Sequence, residues 1–426
     1  MKRKLALLLV IVCLLTVLLP ACRKKQEPTP TLRIVTNVGF QDEQFGGEDD
    51  LKSVIEYFGG LPDGTEIELE VLPMEGAELH TRLTRLRTEM LSGGGPDVFL
   101  MYAPPVPDRE QLFHITETAM DKYFLPLDEL KDIAKHMDWE AMNEKVMAAG
   151  QTEEGQMLLP LFYGCAIART DEQLGEIPGS WDEAVASNDK AVRECYGALL
   201  ARGALHDLAL GDVADYESET LLIAEEELNK KVKEALAFEY DRDTSHVEWA
   251  WEPTVLRADD REGRDRQRND GVILQHNTDG GVTARVNTYI AVNCNTTHKA
   301  DALALVDMMA SREFLSMEPF WSERRMRETI SMFLFTMMDS WNGGVPIYDD
   351  YFEEGRTLNF EFSLPDYRED IYREMLESIS DVYIPTTIDQ ELIMLFNDCK
   401  AAGSEAEIDK LVSSCYSTMK MILAES

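Results

Sequence analysis

The order of hydrophobic and polar residues over the first hundred positions is typical of an α/β protein. In EIELEVL (66–72), apolar residues alternate strictly with three glutamates, which is the two-residue period of a strand with one buried side. The next segment carries apolar residues at helical spacing: Leu79, Leu83, Leu86 and Met90. Because LRIVT (32–36) and PDVFLM (96–101) are typical of buried strands, the pattern predicts an open parallel sheet with flanking helices.

The rest of the chain continues the α/β pattern less regularly. We predict a broken apolar stretch at 155–170, a charged helix around 217–237 and a strand within 280–293. Two amphipathic helices follow, one with Leu303, Val306 and Met309 inward, the other near the end of the chain. Ligands of open α/β sheets approach the carboxyl ends of the strands, so the loops at 37–40 and 102–105 are of functional interest.

The N-terminal segment has the layout of a secretory leader. Three basic residues precede an uncharged stretch that ends at Cys22, and Leu19-Pro20-Ala21-Cys22 resembles a bacterial lipobox. This predicts a signal peptide over 1–21, a lipid on Cys22 and an extended, proline-containing tether over 22–31. The stretch is also near the lower length limit for a membrane span, so an uncleaved anchor is the alternative.

Composition narrows the class of protein further. The chain has 426 residues, 44% of them hydrophobic, which predicts two or more domains with real cores. The formal net charge of −38 argues against nucleic acid as a partner and suits a soluble, monomeric, extracytoplasmic protein. Five cysteines lie beyond Cys22 with no C-x-x-C pair, so we expect small buried thiols, with Cys399 and Cys415 as the one pair to check.

Several segments, taken in order, carry a family resemblance. They are the lipobox, LRTEMLSGGGPDVFLM (86–101), FLPLDEL (124–130), LPLFYGCAIART (159–170), SWDEAV (180–185) and GGVTARVNTYIAVNCNTTHKADALALVDMMAS (280–311). Together they resemble the family-1 extracellular solute-binding proteins, the lipoprotein receptors of ABC importers, of the maltose-binding type. The match covers about two thirds of the mature chain and is poor over 186–279.

The resemblance implies a two-lobed, periplasmic-binding-protein-like α/β fold of type II, with the ligand cleft between the lobes. It implies closure of the lobes on a solute that is then delivered to a permease. Because the sequence has no cofactor motif and its seven histidines show no metal-ligand spacing, we expect no cofactor and no metal. The expected boundaries are 32–150 plus 294–335 for lobe 1, 151–285 plus 340–426 for lobe 2, and crossings near 150–160, 286–293 and 336–345.

Candidate ligand contacts follow from what a sugar requires, which is flat aromatic faces beside a few polar groups. The aromatic candidates in expected cleft loops or crossings are Phe40, Tyr102, Tyr163, Trp249, Trp251, Tyr289 and Trp341. Asn37 adds an amide beside Phe40. For each aromatic, packing in the core is the competing interpretation, and for Asn37 it is ordinary turn chemistry.

The catalytic and metal-binding alternatives have little support in the sequence. There is no G-x-S-x-G, no H-E-x-x-H and no phosphate loop, and DRDTSHVE (241–248) is more typical of a solvated turn than of a calcium loop. We therefore expect a non-enzymatic receptor, anchored on the outer face of the membrane or in the periplasm, for an oligosaccharide. The alternatives are a receptor of the same fold for a peptide or another solute, and a surface-anchored glycan hydrolase.

Overall fold

The computed structural model describes most of the chain beyond the predicted leader. The described residues are 31–37, 65–73, 76–103, 110–170, 172, 174–238, 240, 247–250, 271–316, 345–349 and 366–425. The predicted signal peptide with its lipobox cysteine, and the candidates Phe40, Trp251 and Trp341, lie outside these residues.

The elements follow the α/β order that the sequence predicts. The strands are β1 Thr31–Thr36, β2 Glu66–Val71, β3 Val98–Tyr102, β4 Gln151–Thr152, β5 Gly155–Gln156, β6 Leu158–Cys165, β7 Ile167–Thr170, β8 Ala214–Asp215, β9 Thr220–Leu221, β10 Val247–Ala250, β11 Gly271–Leu274, β12 Val282–Val292, β13 Val345–Pro346 and β14 Ile379–Tyr383. The helices are α1 Gly76–Leu91, α2 Glu117–Tyr123, α3 Leu130–Ile133, α4 Glu144–Met147, α5 Trp181–Ala186, α6 Lys190–Leu200, α7 Glu225–Leu236, α8 Lys299–Met309, α9 Arg312–Ser316, α10 Asp366–Ser378, α11 Thr387–Ala401 and α12 Glu405–Glu425. A short π-helix spans His206–Leu210.

Within the described residues, the largest sheet has seven strands. Its order is β13-β6-β12-β3-β1-β2, and β14 pairs with β12. The predicted parallel pairing is confirmed for β1 with β2 and for β1 with β3. The prediction of a parallel sheet is incomplete, however, because β12 runs antiparallel to both β3 and β6. A returning strand inserted beside β3 makes the sheet mixed.

The two halves of strand β12 pair with different strands along one of its edges. Its carboxyl half pairs with β3, where Val292 lies opposite Val98. Its amino half pairs with β14, where Arg285 lies opposite Tyr383. All eleven residues of β12 are buried, as expected for a strand covered on both faces.

Two hydrophobic cores contain most of the buried apolar side chains among the described residues. The larger core draws on residues between Leu32 and Ile384, and it contains the predicted inner face of α1. The smaller core draws on residues between Ala166 and Leu423. It lies under the three-stranded sheet β10-β7-β11, and Trp181, Tyr196 and Phe238 pack their rings together inside it. The predicted lobe boundaries stay a prediction.

Two predictions need correction, namely the start of the charged helix and the burial of all five cysteines beyond Cys22. The helix predicted around 217–237 begins only at Glu225, because the residues before it form the β8–β9 hairpin. Cys165, Cys195, Cys399 and Cys415 are buried free thiols, whereas Cys294 is exposed. Among the described residues, no helix combines the length and the apolar character that crossing a membrane requires.

Candidate ligand-binding cleft

A cleft of about 850 Å³ lies between residues of the two cores. One wall is formed by the segment 110–119 with the ends of α1 and α2, which pack on the larger core. The facing wall is formed by the β8–β9 hairpin and by α11, which pack on the smaller core. The volume lies within the range of about 300–1,000 Å³ that is usual for small-molecule sites.

Arg87 of α1 fixes the first wall. Its guanidinium donates to Glu110 Oε1 at 2.8 Å, to the Leu112 carbonyl at 3.2 Å and to the Gln111 carbonyl at 2.5 Å. Burial opposes the charge of Glu110, but the hydrogen bonds and charges of Arg87 and His80 outweigh it and lower the pKa of Glu110. These contacts hold residues 110–112 against α1.

Below this segment, an aromatic cluster holds the first wall to the larger core. The Phe113 ring meets Phe99 and Phe124 edge-on, each at a centroid distance of 5.1 Å. Such edge-to-face pairs are a favoured aromatic geometry. Phe113 thus anchors the segment that presents His114 and Thr118 to the cleft.

Helix α11 forms the main surface of the second wall. Its start is fixed by a capping box in which Asp389 accepts hydrogen bonds from the Thr386 amide at 2.6 Å and from the Thr386 hydroxyl at 2.8 Å. The residues of α11 that line the cleft are Thr387, Gln390, Glu391 and Met394. Their i, i+3, i+4, i+7 spacing places them on one face of the helix.

Behind this wall, a buried ion pair supports the capping aspartate. His206 of the π-helix lies 2.6 Å from Asp389, measured between Nδ1 and Oδ1, and its ring stacks on Tyr383 at 3.7 Å. Burial opposes the charge of His206, yet the neighbouring Asp389 raises its pKa. Burial likewise opposes the charge of Asp389, and the His206 contact lowers its pKa. The pair therefore favours its charged form.

A second buried ion pair connects these residues to β12. The Arg285 guanidinium donates to Asp207 Oδ2 at 2.5 Å, to the Tyr383 hydroxyl at 2.9 Å and to the Gly203 carbonyl at 3.3 Å. The side chains of Arg285 and Asp207 are 1% and 0% exposed. The two pairs connect β12, β14, the π-helix and α11 in one polar network behind the cleft.

Three contacts join the two walls directly. Gln111 Nε2 donates to the Pro385 carbonyl at 2.9 Å, and the His114 ring stacks on Tyr216 at a centroid distance of 5.4 Å. The Thr118 amide donates to Glu217 Oε1 at 2.7 Å, and the Thr118 hydroxyl donates to the same carboxylate. Burial and the nearby charge of Arg87 lower the pKa of His114.

Asn37 and Tyr102, both predicted site residues, hold each other in place. The Asn37 amide donates to the Tyr102 carbonyl at 2.7 Å, and the Tyr102 amide nitrogen donates to Asn37 Oδ1 at 2.6 Å. This reciprocal pair ties the loop after β1 to the end of β3. The Asn37 side chain therefore has a structural role where these two strands end.

The three predicted aromatic contacts whose side chains are described lie in the larger core. Tyr102, Tyr163 and Tyr289 are 7%, 0% and 3% exposed. Trp249 lies in β10 opposite Ala168, and its side chain is outside the description, like Phe40, Trp251 and Trp341. None of the predicted site residues whose side chains are described lines the 850 Å³ cleft. Ligand contact by these residues stays a prediction.

Sequence reasoning missed the residues that line this cleft. His114 and Tyr216 carry no motif, and the polar positions of α11 lie within an otherwise apolar helix pattern. Gln390 and Glu391 lie off the apolar face that Ile388, Leu392 and Phe396 form, as polar residues do in any amphipathic helix, so their pattern is not specific to a ligand site. The described residues contain no group of at least three histidine, cysteine or acidic side chains that could hold a metal ion.

Comparisons with solved structures place the fold. No family model and no curated protein matches the chain. A family 1 extracellular solute-binding protein from Alicyclobacillus acidocaldarius has a TM-score of 0.51 at 12% identity, covering 92% of this chain and 99% of that one. A periplasmic solute-binding protein from Pectobacterium atrosepticum has 0.51 at 13%, covering 93% and 99%. A de novo designed cysteine esterase has 0.55 at 13%, covering 93% and 98%. The chain therefore has the two-lobed α/β fold of extracellular solute-binding proteins, which confirms the predicted fold class.

Proposed function

We propose that this protein is a solute-binding receptor of an ABC importer, a member of the family-1 extracellular solute-binding proteins. The observation that carries the proposal is the 850 Å³ cleft between the two cores of a solute-receptor fold. Its two walls rest on different cores, so a ligand held between them would favour the closed arrangement of the walls. The receptor binds and releases its solute without chemical turnover.

The proposed solute is an oligosaccharide. A sugar presents hydroxyl edges and apolar C–H faces, and it requires aromatic rings beside hydrogen-bonding side chains. The cleft offers Tyr123 and Tyr216 as rings, with Thr116, Gln390 and Glu391 as polar groups. Carboxylates such as Glu391 accept hydrogen bonds from hydroxyls, and they repel anionic solutes.

A thermal-shift screen of the chain from Glu27 onward tests the proposal. The panel contains neutral oligosaccharides, peptides and polyamines, and we expect stabilisation by an oligosaccharide. A ligand at one hundred times its Kd adds about 2.7 kcal/mol to the free energy of unfolding. Stabilisation by a peptide or an amine with no response to any sugar refutes the oligosaccharide, and hydrolysis of the stabilising glycan refutes a receptor without turnover.

A pair of variants on α11 then tests the cleft. Glu391→Ala, at a cleft-lining position, should weaken oligosaccharide binding about tenfold, the effect of losing one charge-assisted hydrogen bond. Asp398→Ala removes an exposed acid from the same helix, one turn beyond the last cleft-lining residue, and should leave the affinity unchanged. Equal affinities for both variants would place the binding site elsewhere.

Anchoring and delivery form the remaining part of the proposal. Cys22 carries the lipid, and the segment 23–30 is the tether that keeps the receptor beside its permease. We expect Cys22→Ala to move the protein from the membrane fraction to the soluble fraction of cells and to slow uptake of the bound sugar. Retention of the variant in the membrane fraction would instead indicate an uncleaved anchor.

A further inference from the structure

The β8–β9 hairpin has a tip whose conformation is fixed from within. The Asp215 carboxylate accepts hydrogen bonds from the Glu217 amide at 2.9 Å, the Ser218 amide at 3.2 Å and the Ser218 hydroxyl at 2.6 Å. These hydrogen bonds lower the pKa of Asp215. Glu219 completes the turn with a positive φ of 53°, a conformation that non-glycine residues rarely adopt. The tip therefore presents Glu217 in a defined direction.

Glu217 reaches across the cleft to the start of α2. Its carboxylate accepts from both the amide and the hydroxyl of Thr118, and these bonds hold the pKa of Glu217 below its ordinary value. The Thr118 amide belongs to the first turn of α2, where amides have no partner within the helix. Thr116, the N-cap residue, is used by the Ala119 amide. Hydrogen bonding of the Thr118 amide therefore depends on Glu217.

Two further contacts lie deeper than this exposed one. The Tyr216 ring, next to Glu217 in the hairpin, stacks on His114 with an angle of 25° between the ring planes. Gln111 donates to the carbonyl of Pro385, just before α11. The hairpin and the start of α11 thus contact the segment 111–118 both at its exposed edge and in its half-buried interior.

We propose that the β8–β9 hairpin is a strap that ties the two walls of the cleft together, so that solute enters only after the Glu217–Thr118 contact has opened. The gating part rests on the proposed function, whereas the tie itself does not. Since a solute binds only the fraction of molecules whose strap is open, the strap lowers the apparent affinity by that fraction.

Hydrogen exchange of the Thr118 amide in the full chain without ligand tests the tie. Glu217→Ala should accelerate exchange of this amide about fivefold, the effect of losing one hydrogen bond of typical net strength. Glu226→Ala, which removes an exposed acid at the start of α7, should leave the rate unchanged. Equal exchange rates in the wild type and both variants would overturn the proposal.

A second measurement tests whether the tie holds the two walls of the cleft together. In small-angle X-ray scattering without ligand, Glu217→Ala should increase the radius of gyration, whereas Glu226→Ala should not. An unchanged radius together with faster Thr118 exchange would show a local contact with no hold on the walls, and would refute the strap. Neither measurement uses a solute, so failure of the ligand screen would leave the tie standing and overturn only the receptor function.

Discussion

Removing the buried arginine behind the cleft should cost more stability than removing any ordinary surface charge. Arg285→Met takes away a guanidinium that is 1% exposed and leaves the carboxylate of Asp207, which is 0% exposed, without its cation. Breaking a buried ion pair in this way costs about 3–5 kcal/mol, because an uncompensated charge remains in a medium that solvates it poorly. Methionine matches the length of the arginine stem, so lost packing contributes little.

The structure supplies a matched control for this substitution. Arg33 also lies in a strand of the large sheet and pairs with Glu89 at 3.4 Å, but the two side chains are 33% and 32% exposed. Arg33→Met should therefore cost about 0–1 kcal/mol, the usual range for solvent-screened pairs. The comparison isolates burial, since residue type, substitution and charge change are the same.

Urea unfolding followed by tryptophan fluorescence measures both costs. A loss of about 3–5 kcal/mol is a large share of the roughly 5–15 kcal/mol that stabilises a typical domain, so the Arg285 variant should unfold at a clearly lower urea concentration. The double variant with Asp207→Asn should be more stable than the sum of the two single losses predicts. A loss for Arg285→Met no larger than that for Arg33→Met would refute the assigned role of the buried pair.

Two further predictions concern pH and packing. Because Asp389 raises the pKa of His206 above the ordinary 6.5, the stabilising contribution of His206 is complete below about pH 6.5 and is lost as the pH rises through the raised value. The free energy of unfolding of the wild type should fall as the pH rises from about 6.5 through the raised pKa of His206, and His206→Gln should lack this decrease. Parallel pH profiles of the two proteins would contradict a raised pKa at His206. Gly150→Ala should cost about 1–3 kcal/mol, since a Cβ there would lie 2.2 Å from the Leu158 carbonyl oxygen. Thermal unfolding tests this, with Gly94→Ala, whose nearest contact is 3.6 Å, as the tolerated control; equal melting temperatures would count against it.

The spacing of apolar residues predicted the helices and strands well, because an element that buries one face carries apolar residues at a regular interval. The four apolar residues predicted for the inner face of α1 are all buried, and the strand predicted within 280–293 is β12. The direction of β12 cannot be predicted in this way, because a strand that is covered on both faces is continuously apolar whether it runs parallel or antiparallel to its neighbours. The mixed character of the sheet therefore had to come from the structure.

The cleft could not be predicted for a related reason. Its walls are joined by pairs such as Gln111 with Pro385 and Thr118 with Glu217, which are 274 and 99 positions apart. Two of the aromatic residues predicted as ligand contacts, Tyr163 and Tyr289, lie instead on the central strands β6 and β12. Every residue of β6 and β12 is buried, so rings on these strands pack in the core.

The order in which the chain is made adds a constraint on its folding. The larger core takes residues as late as Ile384, and the smaller core takes residues as late as Leu423. At about 5–20 residues per second, roughly 20–85 s separate the start of synthesis from the arrival of these last segments. Until then β12 lacks β14, its partner on one side, and the smaller core lacks α11 and α12. A chain that stops before Val345 cannot complete either core, so nascent and truncated forms leave apolar residues of both cores without packing partners, which is the condition that makes folding intermediates prone to aggregation.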